Sequence, residues 1–331
     1  MATSAKAFSP KEFTYWIISD ATNAGSTGIH PSNMNQLDVD SISFPSLNVT
    51  QALDVKCGGA GRTFKDEDFF QDNTLRVVEI SLAGTMHKDD GHRLLLRNIC
   101  GDASGDCVIS SGHIGAEQLY GSAVADAVSS LTLVMKASDH SNQQSMVFAG
   151  CVVTNFVLSA DMSDGGRYKF SATLQTGRKP NLAETSTVAG NSVYLNTDFS
   201  YLTTASGFKV CNQDVVMNSF SCTVDHPAIF SGVTTTGYHA INRGADCSVT
   251  VDTQIKYDDQ VKTIVNAYDT QTAHNGTNSF VCTNNGNFGV TIDNAVYTNV
   301  AYSEGDIMMV DVSLKSVDDG TDALVTFDIT A

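Results

Sequence analysis

The chain has 331 residues, enough for two ordinary domains or one large β domain, and a hydrophobic content of 42% with 16 Phe supplies a core, which excludes wholesale disorder. Of its 36 acidic residues 30 are Asp, a poor helix former, while Val, Thr, Ser, Asn and 26 Gly suit short strands joined by turns, so a mainly β fold is expected. A formal charge of −17, with no basic cluster longer than Arg178-Lys179, argues against tight nucleic-acid binding through phosphate neutralisation.

Residues 1–36 read as an N-terminal arm. Residues 1–10 lack the apolar core of a signal peptide, and nowhere does an apolar run approach the roughly 18 residues of a membrane span. A soluble chain made in the cytoplasm is expected. Phe13, Tyr15, Trp16 and Ile17 in the arm, with Phe64, Phe69 and Phe70 further on, are more apolar surface than an isolated subunit leaves in water. They are expected to order only at contacts between subunits or rings.

A first unit, residues 37–180, opens on a strand over 38–49. A strand over 77–84 follows, then a short helix over 89–98 introduced by Asp89-Asp90, which suits an N-cap and the positive helix end. A hairpin closes the unit: 152–158 turns through Asp164-Gly165-Gly166 into 168–174. After a polar connector, residues 181–192, the same succession returns in a second unit, residues 193–331: a strand over 214–224, a strand over 249–255, a helix over 258–266 behind Asp258-Asp259, and a hairpin of 292–297 and 308–314 turning through 304–306. The first copy carries an insert within residues 100–145, with a possible helix over 116–129 and a strand over 131–137.

Little in the sequence carries chemistry. His87 and His92 flank Lys88-Asp89-Asp90-Gly91, but the matching stretch has Lys256 and Val261, so a solvated helix start is the reading rather than a metal cluster. Asp102 and Asp106 lack the ordered carboxylate spacing of a calcium loop. No nucleophile elbow, phosphate loop or dinucleotide fingerprint occurs, so no catalytic residue, cofactor or metal is expected. The eight cysteines form no CxxC pair and read mostly as free thiols, with Cys100 and Cys107 the pair that could bridge.

Alternation is what remains. Ile80, Leu82, Tyr168, Phe170, Ala172 and Leu174 share one face in the first unit, as do Val249, Val251, Met308, Val310, Val312 and Leu314 in the second. The opposite face carries Glu79, Ser81, Ser171, Thr173 and Gln175, and in the second unit Thr250, Asp252, Gln254, Asp311 and Ser313. Two equivalent wet faces could be placed side by side.

A strand, a capped short helix and a hairpin running from Gly150-Cys151-Val152-Val153-Thr154-Asn155-Phe156-Val157-Leu158 to Arg167-Tyr168-Lys169-Phe170-Ser171-Ala172-Thr173-Leu174, in tandem units, resembles the major tail tube proteins of long-tailed bacteriophages. The resemblance implies tandem β-sandwich or β-barrel units, each with one short flanking α-helix, whose hairpin sheets join into a closed barrel around a channel. A two-unit chain implies homotrimeric rings with pseudo-sixfold symmetry, stacked through residues 50–73 and 225–245 into a tube that conducts genomic DNA without binding it specifically. Tape measure, terminator and distal tail proteins would be partners, the virion the destination, and no membrane would be involved. The ten polar residues above would then line the channel. The insert and the arm depart from the family pattern. Two other classes stay open: a tandem β-sandwich adhesin or carbohydrate-binding protein, weakened by Trp16 being the only Trp, and an enzyme on a β scaffold, for which no convergent titratable cleft is evident.

Overall fold

Alternating apolar and polar residues demand strands with one buried face, and strands are what form. The computed structural model describes residues 11, 13–19, 34–43, 51–53, 69–71, 77–101, 107–110, 130–137, 145–184, 190–192, 202, 207–232, 237–238, 240–244, 246–270, 278–284, 288–303 and 307–329. In chain order come β1 (Phe13–Ser19), β2 (Met34–Leu37), β3 (Ser41–Ser43), β4 (Gln51–Leu53), β5 (Phe69–Gln71), β6 (Val78–Thr85), α1 (Asp90–Cys100), β7 (Cys107–Ile109) and β8 (Leu131–Ala137). Then follow β9 (Ser145–Asp161), β10 (Lys169–Thr176), β11 (Asn181–Glu184), β12 (Gly190–Ser192), β13 (Gly207–Val210), β14 (Gln213–Asp214), β15 (Met217–Asp225), β16 (Ala228–Ser231) and β17 (Ala240–Arg243). The chain ends through β18 (Ser248–Lys256), α2 (Asp259–Asp269), β19 (Phe280–Asn284), β20 (Phe288–Ile292), β21 (Ala295–Ser303), β22 (Met309–Ser316) and β23 (Val325–Ile329). The fold is mainly β, with two α-helices among the described residues. The expected helix over 116–129 and the loop at Asp102 and Asp106 lie outside the described residues.

Strand β9 organises the main sheet. Its 17 residues pass through Gly150 at φ +66°, a conformation glycine adopts without strain. It pairs with β11 before that point and with β8 as far as Cys151; from Cys151 onward it pairs with β10, and from Asn155 with β15 on the other side. One continuous run of eight strands results, β3-β6-β10-β9-β15-β18-β22-β21. Its first four strands come from residues 37–180 and its last four from 193–331, each in the same internal order.

β-bulges sharpen the correspondence. Thr154 is left unmatched between Asn155, opposite Thr173, and Val153, opposite Leu174; Thr298 is left unmatched between Asn299, opposite Ser313, and Tyr297, opposite Leu314. Asn155-Phe156-Val157-Leu158-Ser159 therefore corresponds to Asn299-Val300-Ala301-Tyr302-Ser303. This corrects the sequence alignment, which set 292–297 against 152–158: Ile292 ends β20, Asp293-Asn294 turn the chain, and β21 begins only at Ala295.

A second sheet, β14-β13-β19-β20-β23-β7, covers the apolar face of this run. Its last strand, β7, comes from the insert and pairs with β23 near the C-terminus. Rings interlock between the layers: Tyr168 meets Phe220 at 5.5 Å and Phe288 at 5.2 Å between centroids, and Phe220 meets Phe280 at 5.8 Å. One buried cluster runs through both halves of the chain. Tyr168 lies 3.1 Å from the Cys282 sulfur, and burial raises both groups, the Cys282 thiol to about 12. None of the seven described cysteines forms a disulfide, so Cys100 and Cys107 do not bridge.

Both helices begin where the aspartates placed them. Asp89 accepts the His92 N–H at 2.8 Å, and Asp258 accepts those of Gln260 and Val261. The start of α1 is not solvated, however. His87 and His92 are 1% and 0% exposed, their rings 5.5 Å apart, His87 bonded to Asp38 at 2.8 Å and His92 to Asp89 at 2.8 Å. The reason is β2, which passes so close over the first turn that a Cβ on Gly91 would meet Gln36 O at 3.1 Å. Nor does the arm wait for another subunit: β1 pairs along its whole length with β8 of the same chain, and Tyr15 and Ile17 join the core. Residues 50–73 and 225–245 each hold a two-stranded ribbon, β4 with β5 and β16 with β17.

The second ribbon is tied to the first unit by Arg243, which is 0% exposed. Its Nη1 donates to Val153 O at 2.6 Å and His226 O at 2.8 Å, and its Nη2 to Asn98 O at 2.6 Å. His226 adds a bond from Nδ1 to Ile99 O at 3.0 Å, so carbonyls at the negative end of α1 are capped by side chains from the other half of the chain. Arg243→Met fills the volume but strands these acceptors; it should cost about 3 kcal/mol or more, read as a lowered denaturant midpoint. A second expectation concerns acid. Burial raises Asp89, but the hydrogen bond and charge of His92, its backbone N–H and the charge of His87 outweigh burial and hold the carboxyl below its usual value. A depressed carboxyl stabilises above its unfolded value, about 4, and loses that contribution as pH falls through the folded one. The melting-temperature deficit of Asp89→Asn should be full at pH 7 and shrink below about pH 4.

Candidate functional site

Polar residues of the eight-stranded run share the face turned away from the core. Ile80, Leu82, Phe170, Ala172, Leu174, Val249, Val251, Val310, Val312 and Leu314 are all buried, while Glu79 and Asp252 are exposed and Ser81, Ser171, Thr173, Gln175, Thr250, Gln254, Asp311 and Ser313 are partly so. Met308, assigned to the apolar face, instead precedes β22 and is 47% exposed.

The registers bring the two sets together. One row crosses seven strands: Thr85, Lys169, Ser159, Ser221, Asp252, Ser313 and Asn299 lie directly opposite one another in turn. The next row runs Asp161, Ser219, Gln254, Asp311, Ala301. Side chains bond along these rows. Gln254 bridges Asn218 at 2.7 Å and Asp311 at 2.9 Å, Ser313 donates to Asp252 at 2.5 Å, Gln175 donates to Glu79 at 2.9 Å, and the Ser81 and Thr173 hydroxyls lie 3.3 Å apart. Glu79 with Gln175 and Ser81 with Thr173 sit on the first unit; Gln254 with Asp311 and Ser313 with Asp252 sit on the second, so the ten residues share one face but their hydrogen bonds stay within each unit.

Where the halves join, a groove of about 450 Å³ is hollowed into this face. Ser159, Asp161, Asp164, Arg167, Lys169, Ser219 and Ser221 line it beside Asp252, Gln254, Asp311 and Ser313. Sequence reasoning flagged Lys169 only as a nearby positive charge and missed the other six; Ser159, Asp161, Ser219 and Ser221 meet only once β9 and β15 pair. No protein-family model matches this chain, and no curated protein matches it.

Positive charge on the face is sparse. Lys169 pairs with Asp164 across the hairpin tip, whereas Lys209 lies in the second sheet, 3.8 Å from Asp214. Lys315, opposite Thr250, is exposed. Among the described residues no group of three or more His, Cys, Asp or Glu is placed to hold a metal ion. The face offers hydroxyls, amides and carboxylates that already bond one another, an arrangement suited to holding water at a wall. Because its side chains reach into solvent, Asp252→Lys with Asp311→Lys should shift unfolding free energy by no more than about 1 kcal/mol, measured by chemical denaturation.

Proposed function

We propose that this chain is the subunit of a phage tail tube: a virion structural protein whose rings stack into a channel for genomic DNA. One observation carries the reading. Two equivalent four-stranded sheets continue into one another at β9 and β15, and the same two kinds of edge, on β21 and β3, are left without a strand partner among the described residues. Such an edge pair is heterologous. It polymerises head to tail, and when the rotation closes it makes a ring that leaves no edge exposed.

Tandem units and the tail tube resemblance favour three chains per ring, with the polar face inward. Three copies bring three times the formal charge of −17, and an inner wall carrying Glu79, Asp252 and Asp311 repels a polyanion, so DNA slides through hydrated side chains without adhering. Tape measure, terminator and distal tail proteins would meet the tube at its bore and ends.

Sedimentation and negative-stain microscopy of the purified protein test this directly. Trimeric rings or tubes are expected, and monomers that persist at high concentration and moderate salt refute the proposal. In particles built with Asp252→Lys and Asp311→Lys, assembly should persist while DNA delivery slows; lost assembly with unaltered transit would place these residues in a subunit contact instead.

A further inference from the structure

We infer that β21 of one copy pairs antiparallel with β3 of the next in a single register, with Ser303 opposite Ser43. The inference rests on the ring reading above and adds its atomic partners. Its template lies inside the chain. At the junction of the two halves Ser159 of β9 stands opposite Ser221 of β15. The Thr154 and Thr298 bulges make Ser303 the counterpart of Ser159. On the other side, Ser41-Ile42-Ser43 meets Ala83, Leu82 and Ser81 as Ser219-Phe220-Ser221 meets Gln254, Thr253 and Asp252. Ser43 is thereby the counterpart of Ser221. Both junctions would place serine against serine on the polar face.

Exposure marks the missing neighbour. Leu158 is 0% exposed with Cys222 directly opposite on β15, whereas its counterpart Tyr302 is 52% exposed at the open edge. Ile307 and Met308 extend this apolar end at 63% and 47% exposure. A second copy continuing the sheet covers Tyr302 as β15 covers Leu158.

The register also closes geometrically. The row through Ser159 reaches β21 at Asn299, the counterpart of Asn155, so each four-stranded half is displaced by four residues relative to the last. Shear then equals strand number, which sets a tilt of about 35°, and 24 strands from three copies enclose roughly 45 Å between backbones, against roughly 30 Å for two copies. Only the wider barrel leaves room for a hydrated duplex once side chains line it.

Disulfide trapping tests the pair. Ser43→Cys with Ser303→Cys in the full chain, oxidised with copper phenanthroline, should give covalent multimers up to a closed trimer on a non-reducing gel, because directly opposed strand residues lie within disulfide reach. The parent chain and each single variant should give none, which accounts for the natural thiols. Ser159→Cys with Ser221→Cys should close within one chain and calibrates the geometry. Ser43→Cys with Asn299→Cys, displaced by four residues or about 13 Å, should stay unlinked. Rings seen by microscopy without the 43–303 link overturn the register and leave the ring standing; monomers without any link overturn both.

Discussion

Seven residue pairs between β9 and β15 hold the two halves in one sheet, and nearly every other feature follows from that pairing. Backbone hydrogen bonds fix the two strands in register, and because side chains alternate, a slip of one residue would turn Phe156 and Leu158 outward and Val157 and Ser159 inward. The register therefore decides at once that the apolar sets of both halves fall into a single core and that their polar sets meet at the groove. Arg243 and His226 brace the same junction from behind. By bonding the last carbonyls of α1 they make the helix of one half depend on the ribbon of the other.

What was legible in the sequence is what local physics dictates. Alternation assigned the core and solvent faces of β6, β10, β18 and β22, and paired aspartates located both helix starts, because an N-cap is a contact over three residues. What escaped is what depends on residues far apart in the chain. Nothing near Cys107 announces that it will pair beside Phe327, and nothing near His92 announces that residues 34–37 will cover it. The repeat was visible but misaligned at the last hairpin, since the first unit's turn is longer and its partner segment straddles two strands. The two Thr bulges, which settle the alignment, are defined by cross-strand pairing and leave no mark in either strand alone.

Equivalent sequence has acquired unequal surroundings. Helix α1 buries His92, Leu95, Leu96, Asn98 and Ile99 beneath β1, β2, β7 and the Arg243 ribbon, while α2, starting from the same Asp-Asp signal, buries only Val261 and Ile264. β9 is flanked on both sides along Asn155–Ser159; β21, which carries the equivalent Asn299–Ser303, has a strand neighbour on one side only among the described residues. The first half is thus finished by the second, and the second half by nothing in the described chain. An open assembly built from such a pair always presents one unfinished half, and closure into a ring is the arrangement that leaves none.

Charge would set the terms on which the proposed ring closes. In the proposed ring, copies each carrying −17 would repel one another, most strongly across the bore, so lateral cohesion would have to come from interactions indifferent to the sign of charge. Main-chain hydrogen bonds and apolar contact are of that kind, and the β3 and β21 edges offer both: backbone groups with no strand partner among the described residues, and exposed Tyr302, Ile307 and Met308. The carboxylates of the polar face, held by Gln254, Gln175 and Ser313, stay hydrogen-bonded along the sheet, and in the proposed tube they would present their charge to the bore through water.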